Sequence, residues 1–133
     1  MNELRKIVFI MLVGSATCAT GCAAALAENS LETVKQDLAE GRAVLLDVRE
    51  VDEWSDGHLQ QARPLPLSQI EKGVGAKQLE AVAPTGKTIY LHCAAGARSQ
   101  VAAKRLKASG RDLRPLMQGY DDLLRAGFPK ASR

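Results

Sequence analysis

Thr88-Ile89-Tyr90-Leu91-His92 runs without interruption into Cys93-Ala94-Ala95-Gly96-Ala97-Arg98-Ser99. The first five residues are apolar, branched or aromatic and follow the Pro84-Thr85-Gly86-Lys87 turn, so they read as a strand buried on both faces. Beyond the loop, 99–109 reads as a helix with Ser99 as its cap and Gly110 as its stop. A thiol placed where a buried strand passes into a helix lies at the carboxyl end of that strand, where open α/β sheets build their sites.

The flanking sequence repeats the alternation. Leu31, Val34 and Leu38 share a face at helical spacing, with Ser30 to cap and Gly41 to close a helix over 31–40. Ala43-Val44-Leu45-Leu46-Asp47-Val48 is a second buried strand. A polar turn and short helix occupy Glu50 to Gly57, and Pro64 and Pro66 frame an extended Leu65. Residues 68–82 read as helical with breaks at Gly73 and Gly75, 113–117 as a third strand, and 119–126 as a last short helix. Strands alternating with helices at these lengths predict an α/β domain: an open, mainly parallel β-sheet flanked by helices on both faces.

The composition bounds what such a domain does. At 133 residues, 46% hydrophobic and 25% charged, the chain holds one domain and excludes a multidomain machine, a disordered tail and a polytopic membrane protein. Its net charge of +3, from 18 basic and 15 acidic residues, is far from the dense field of a nucleic-acid binder, so no nucleic-acid partner is expected.

Residues 1–27 differ from the rest. Arg5 and Lys6 precede the apolar run Ile7 to Val13, and small residues lead to Ala25-Leu26-Ala27. This predicts a cleavable export signal, leaving the domain at 28–133 in the periplasm with no membrane span. An uncut signal or a lipidated Cys22 would instead anchor it to a membrane, although Ala19 stands where lipidation expects a larger aliphatic residue. Cleavage also removes Cys18 and Cys22, so Cys93 is left without an internal disulfide partner. A lone cysteine is commonly a buried, inert one; the neighbours of Cys93 argue otherwise.

Ala94, Ala95, Gly96 and Ala97 carry almost no side chain, so the loop can curl with its N–H groups inward as an anion-binding nest. The helix beyond aims its positive end at the same point, and Arg98 adds a full charge, which favours thiolate over thiol. From Ala81 to Arg111 there is no Asp or Glu, while Lys87, Arg98, Lys104, Arg105, Lys107 and Arg111 are basic, a run suited to an anionic substrate. Lys104, Lys107 and Arg111 read singly as a solvated helix face.

The other polar residues read as support. Asp47 and Arg49 are expected to pair and fix the adjoining loop, with Glu50 beside them, and His58 to close a turn after Gly57. Trp54 reads as core, and His92 as structural because adjacent strand residues face opposite ways. No metal site is expected, since His58, His92 and Cys93 lack paired ligand spacing, and no cofactor is implied. Gly73-Val74-Gly75-Ala76-Lys77 lacks the spacing and terminal hydroxyl of a phosphate loop.

The loop from Cys93 to Ser99 resembles the active-site loop of single-domain rhodanese sulfurtransferases. Asp47-Val48-Arg49-Glu50, Glu53-Trp54, Gly57-His58-Leu59, Ala62 and Pro66-Leu67 resemble the family's segment after its central strand, and Gly119-Tyr120 with Ala126-Gly127-Phe128-Pro129 resemble its last helix. With its expected leader, the chain is similar to small periplasmic rhodaneses of the phage-shock type. It departs from the pattern at Gln60-Gln61, Pro64 and Leu123, where the family commonly has Pro-Gly, Asn and Trp. Alanines at 94 and 95 replace the basic residue that rhodaneses active on thiosulfate often carry, which places thiosulfate in question as the physiological donor.

The resemblance implies a rhodanese-like fold and a sulfurtransferase in which Cys93 takes a sulfane sulfur from thiosulfate or a similar small anionic donor, holds it as a persulfide and passes it to cyanide or a thiol. Ala94 to Ala97 and Arg98 would bind the donor, while Asp47, Arg49, His58 and Ser99 would support the loop. The mature chain is expected to act as a monomer. Two other readings are a rhodanese-like module that binds without turnover, disfavoured because such modules usually lack the cysteine, and a Cys-dependent phosphatase or arsenate reductase. In phosphatases of the latter kind Cys and Arg stand one residue further apart, which would put the arginine at Ser99.

Overall fold

The computed structural model describes residues 30–133; the expected export segment, with Cys18 and Cys22, lies outside the described residues. Helix α1, Leu31–Ala39, opens at Ser30, whose hydroxyl accepts the amide of Thr33 at 3.2 Å. The chain turns at Gly41, whose φ of 70° suits a residue without a β-carbon, and enters β1, Ala43–Asp47. Helix α2, Val51–Asp56, leads to β2, Ala62–Pro64. Helices α3, Leu67–Lys72, and α4, Ala76–Val82, divide at Gly73 (φ 102°), as the glycines of 68–82 predict.

Strand β3, Thr88–His92, is followed by helix α5, Ala97–Leu106, a 3-10 turn at Lys107–Ser109, β4 at Asp112–Pro115 and α6 at Tyr120–Arg125. The sheet order is β2-β1-β3-β4 and every pairing is parallel. Register places Ala43 beside Thr88 and Asp47 beside His92, so the two central strands end together.

Strand β2 is an element that local sequence does not announce: it has three residues, one of them Pro64. Proline lacks a ladder donor and is tolerated at a sheet edge, which is where β2 lies; Pro115 ends the strand on the opposite edge.

The continuous apolar runs of β1 and β3 arise because both sheet faces are covered. On one face Val44, Leu46, Val48, Ile89, Leu91 and Cys93 pack with Ile70 of α3, Leu79 of α4, and Ala102 and Leu106 of α5. On the other, Ala43, Leu45 and Tyr90 pack with Val34 of α1, Leu123 of α6, Leu59, Leu116 and Phe128. Leu45, Leu46, Ile89 and Leu91 are wholly buried, each stabilising the fold by about 1.5–3 kcal/mol. The carboxyl ends of β1 and β3 are therefore the rigid base on which the next loops stand.

Two expectations change in detail. Helix α5 starts at Ala97 with Gly96 as its cap, so Ser99 lies within the first turn. Trp54 is half-buried, not core, because α2 sends no side chain into the interior; its ring stacks on His58 at 3.7 Å and 5°.

Candidate active site

Cys93 is the first residue past β3, and its side chain turns to the face that carries α5. Its Sγ accepts the amide of Gly96 at 3.0 Å. Gly96 has φ 91° and ψ −22°, a left-handed conformation that brings its N–H back onto the sulfur. A β-carbon at Gly96 would stand 2.6 Å from the carbonyl oxygen of Met117, so glycine is required by conformation and by space. The first-turn amides of α5 lack intrahelical partners and emerge at the same end, adding the positive pole of the helix to the Gly96 donor. Cys93 is 1% exposed, whereas Ala94, Ala95 and Ala97 are exposed, so the thiol lies beneath a roof of small side chains.

The loop is clamped from below by residues 116–120. The amide of Tyr120 donates to the carbonyl of Cys93 at 2.9 Å. Ser99, fully buried, offers its hydroxyl to the carbonyls of Gly96 at 2.7 Å and Leu116 at 3.0 Å. That corrects only the expected helix cap: Ser99 caps nothing, and in keeping with its expected supporting part it ties the loop to the segment leaving β4. The position where a phosphatase would carry arginine is thus a neutral, buried serine whose hydroxyl is turned to these carbonyls.

Arg98 is not alone beside the sulfur. It sits in the first turn of α5, and its two terminal nitrogens donate to the two carboxylate oxygens of Glu53 on α2 at 2.6 and 2.7 Å. Hydrogen bonding to Arg98, aided by the Glu50 amide and opposed by burial, lowers the Glu53 pKa to about 2. Glu53 hydrogen bonds in turn raise the Arg98 pKa above its ordinary value, and the charges of Glu53, Cys93 and Glu50 act in the same direction. The stretch from Ala81 to Arg111 lacks acids in sequence but not in space: Glu53 reaches Arg98, and Glu80 meets Arg111 at 2.7 Å. Glu53 is the site neighbour that sequence spacing does not reveal, because 45 residues separate it from Arg98.

Asp47 and Arg49 form a buried pair. Arg49 donates through Nε at 3.0 Å to each carboxylate oxygen and through Nη2 at 2.7 Å, and also reaches the Gly57 carbonyl at 2.8 Å. The guanidinium lies over the ring of Tyr120 at 4.1 Å. This cluster fixes the end of β1, the α2 exit and the start of α6, on the sheet face opposite Cys93. His92 is wholly buried there too, with Nε2 3.5 Å from Asp47, which agrees with opposite-facing neighbours along a strand. His58 approaches the Trp54 carbonyl through Nδ1 at 3.0 Å as the chain leaves Gly57. Cys93 to Ser99 are thus one unit, Asp47 and Arg49 a buttress behind it, and His58 belongs to the α2 rim.

Among the described residues no group of three His, Cys, Asp or Glu is placed to hold a metal ion, and no helix is long and apolar enough to cross a membrane.

Residues 30–126 match the family described as rhodanese-like domain. The chain is 41% identical over 69 residues to YqhL of Bacillus subtilis (strain 168), covering 52% of this chain; it spans half the length of that relative. Among solved structures, it superposes on the human single-domain sulfurtransferase TSTD1 with a TM-score of 0.59 and 25% identity, covering 71% of this chain and 92% of that one. Protein hp1203 of Helicobacter pylori 26695 superposes with a TM-score of 0.56 and 31% identity, covering 68% and 79%.

Proposed function

The chain belongs to the rhodanese-like domain family, and from that membership we propose that it is a sulfurtransferase working through Cys93. In the first step the Cys93 thiolate attacks the outer sulfur of thiosulfate or a similar donor. A bond forms between the two sulfurs, the donor's own S–S bond breaks, and its electron pair leaves with sulfite or a thiolate. In the second step cyanide or a thiol attacks the outer sulfur of the persulfide, and Cys93 is released as thiolate.

The observation that carries this reading is the Gly96 amide on Cys93 Sγ at 3.0 Å, at the head of α5. A fixed donor and a helix pole stabilise negative charge on sulfur without reorganising during the reaction, as an oxyanion hole does for oxygen. Only small side chains, those of the exposed Ala94, Ala95 and Ala97, cover the loop on its solvent side.

The test is direct. Purified protein incubated with a sulfane donor should gain about 32 Da by intact mass and lose it on adding cyanide or thiol. The Cys93→Ser protein should gain nothing; sulfur transfer retained by that variant would refute the assignment. Arg5 and Lys6, the apolar run Ile7 to Val13 and the small residues up to Ala27 support an export signal, so we propose the periplasm as the place of the reaction, which cell fractionation of the full chain checks.

A further inference from the structure

We propose that Glu53 determines which sulfur donor the site prefers: by holding Arg98 in a two-point ion pair at the mouth of the loop, it selects organic sulfane donors bearing at most one negative charge over the thiosulfate dianion. The inference rests on the sulfur-transfer reading above and narrows its substrate class.

Arg98 supplies the single full positive charge of the loop from Cys93 to Ser99. Both of its terminal nitrogens are committed to Glu53, and neither partner is free in solvent, at 32% and 33% exposure. The other nearby arginine, Arg49, is consumed by Asp47 on the far side of the sheet. Glu50 brings a further carboxylate to the start of α2, where it accepts from the amide and hydroxyl of Ser68. The mouth is therefore not cationic. A dianion must either pull Arg98 away from Glu53 or sit beside an uncancelled carboxylate, whereas a donor with one charge or none leaves the pair intact.

The rim beside the loop also presents one exposed apolar side chain. Met117 is 70% exposed, its carbonyl lies against Gly96, and its sulfur is 3.4 Å from Nε2 of Gln100. A carbon substituent on the donor finds an apolar partner in the exposed Met117 side chain.

Thiosulfate and methanethiosulfonate make a matched pair of probes, since a methyl group in the second replaces one charged oxygen of the first. In each, the outer sulfur moves to Cys93 and the S–S electron pair leaves, with sulfite in one case and methanesulfinate in the other. The wild-type chain should load Cys93 faster from methanethiosulfonate. Glu53→Gln keeps an oxygen to accept the Glu50 amide but frees Arg98, so its kcat/KM for thiosulfate should rise roughly tenfold while that for methanethiosulfonate changes by less than about twofold. Glu53→Gln with an unchanged donor ratio overturns the proposal. So does a wild-type chain that prefers thiosulfate, an outcome that needs no variant. Should neither donor load Cys93 in the wild type, the sulfur-transfer reading itself falls, a result distinct from loading by both with no charge preference.

Discussion

Gly119 lies so close to the active loop that a β-carbon on it would overlap the carbonyl oxygen of Ala94. Its φ of −83° is open to any residue, so the requirement for glycine is purely steric. Gly119→Ala must displace the Ala94 peptide, and with it the turn that aims the Gly96 N–H at Cys93. Sulfur loading measured by intact mass should slow at least about tenfold, with stability lower by about 1–3 kcal/mol in urea titration. Wild-type loading by Gly119→Ala would show that the loop position is not set by this contact.

Ser99 and Leu116 are joined by a buried hydroxyl that also serves Gly96. Ser99→Ala leaves two interior carbonyls without that donor, which costs about 1–3 kcal/mol. Because one of those carbonyls belongs to the residue whose amide holds the sulfur, loading should slow as well. A variant that loses stability but loads sulfur at the wild-type rate would confine Ser99 to folding.

Asp47 and Arg49 are 1% and 5% exposed, so neither charge can fall back on water if its partner is removed. Asp47→Ala strands the guanidinium and should cost about 3–5 kcal/mol, read from the urea midpoint. The double replacement Asp47→Leu with Arg49→Met removes both charges and should recover most of that loss. If the double variant is as unstable as the single one, the Arg49 contact to the Gly57 carbonyl is the dominant contribution instead.

What the sequence makes legible follows from how local each signal is. The apolar runs 43–48 and 88–92 announce the two central strands because both faces of the sheet are covered. Ser30 and Gly41 mark α1 because caps act within a turn of the helix. Cys93 and Gly96 stand three residues apart, so the donor on the sulfur is within reach of local sequence, whereas the clamp of residues 116–120 that holds the turn is not. Strand β2 lacks a local signal, being short and proline-bearing, and is defined by its register against β1. The pairing of Glu53 with Arg98 depends on how α2 docks against α5, and no spacing along the chain encodes it. Trp54 misleads for a related reason: a large aromatic usually fills a core, but here it lies flat on His58 at the rim.

His92 gives the acid side of the stability curve its own step. It is fully buried, Nε2 has no hydrogen-bond partner, and its other nitrogen is 3.4 Å from the Cys93 carbonyl. Burial pushes its pKa below the ordinary value; Asp47 and the Cys93 carbonyl pull the other way, and the Arg49 charge adds to the lowering. The folded chain therefore keeps His92 neutral at a pH where the unfolded chain protonates it, so the unfolded state binds the extra proton. Stability is complete above the unfolded value of about 6.5 and declines as pH falls toward the lower folded value, at up to about 1.4 kcal/mol per pH unit. Glu53 does not contribute within that window: its stabilisation, reduced by partial exposure, is complete above its ordinary value of 4.5 and is lost progressively as pH falls from there to about 2. Urea midpoints should thus be lower at pH 5 than at pH 7.5, and His92→Gln should flatten the difference. An equally steep slope in that variant would assign the step to another group.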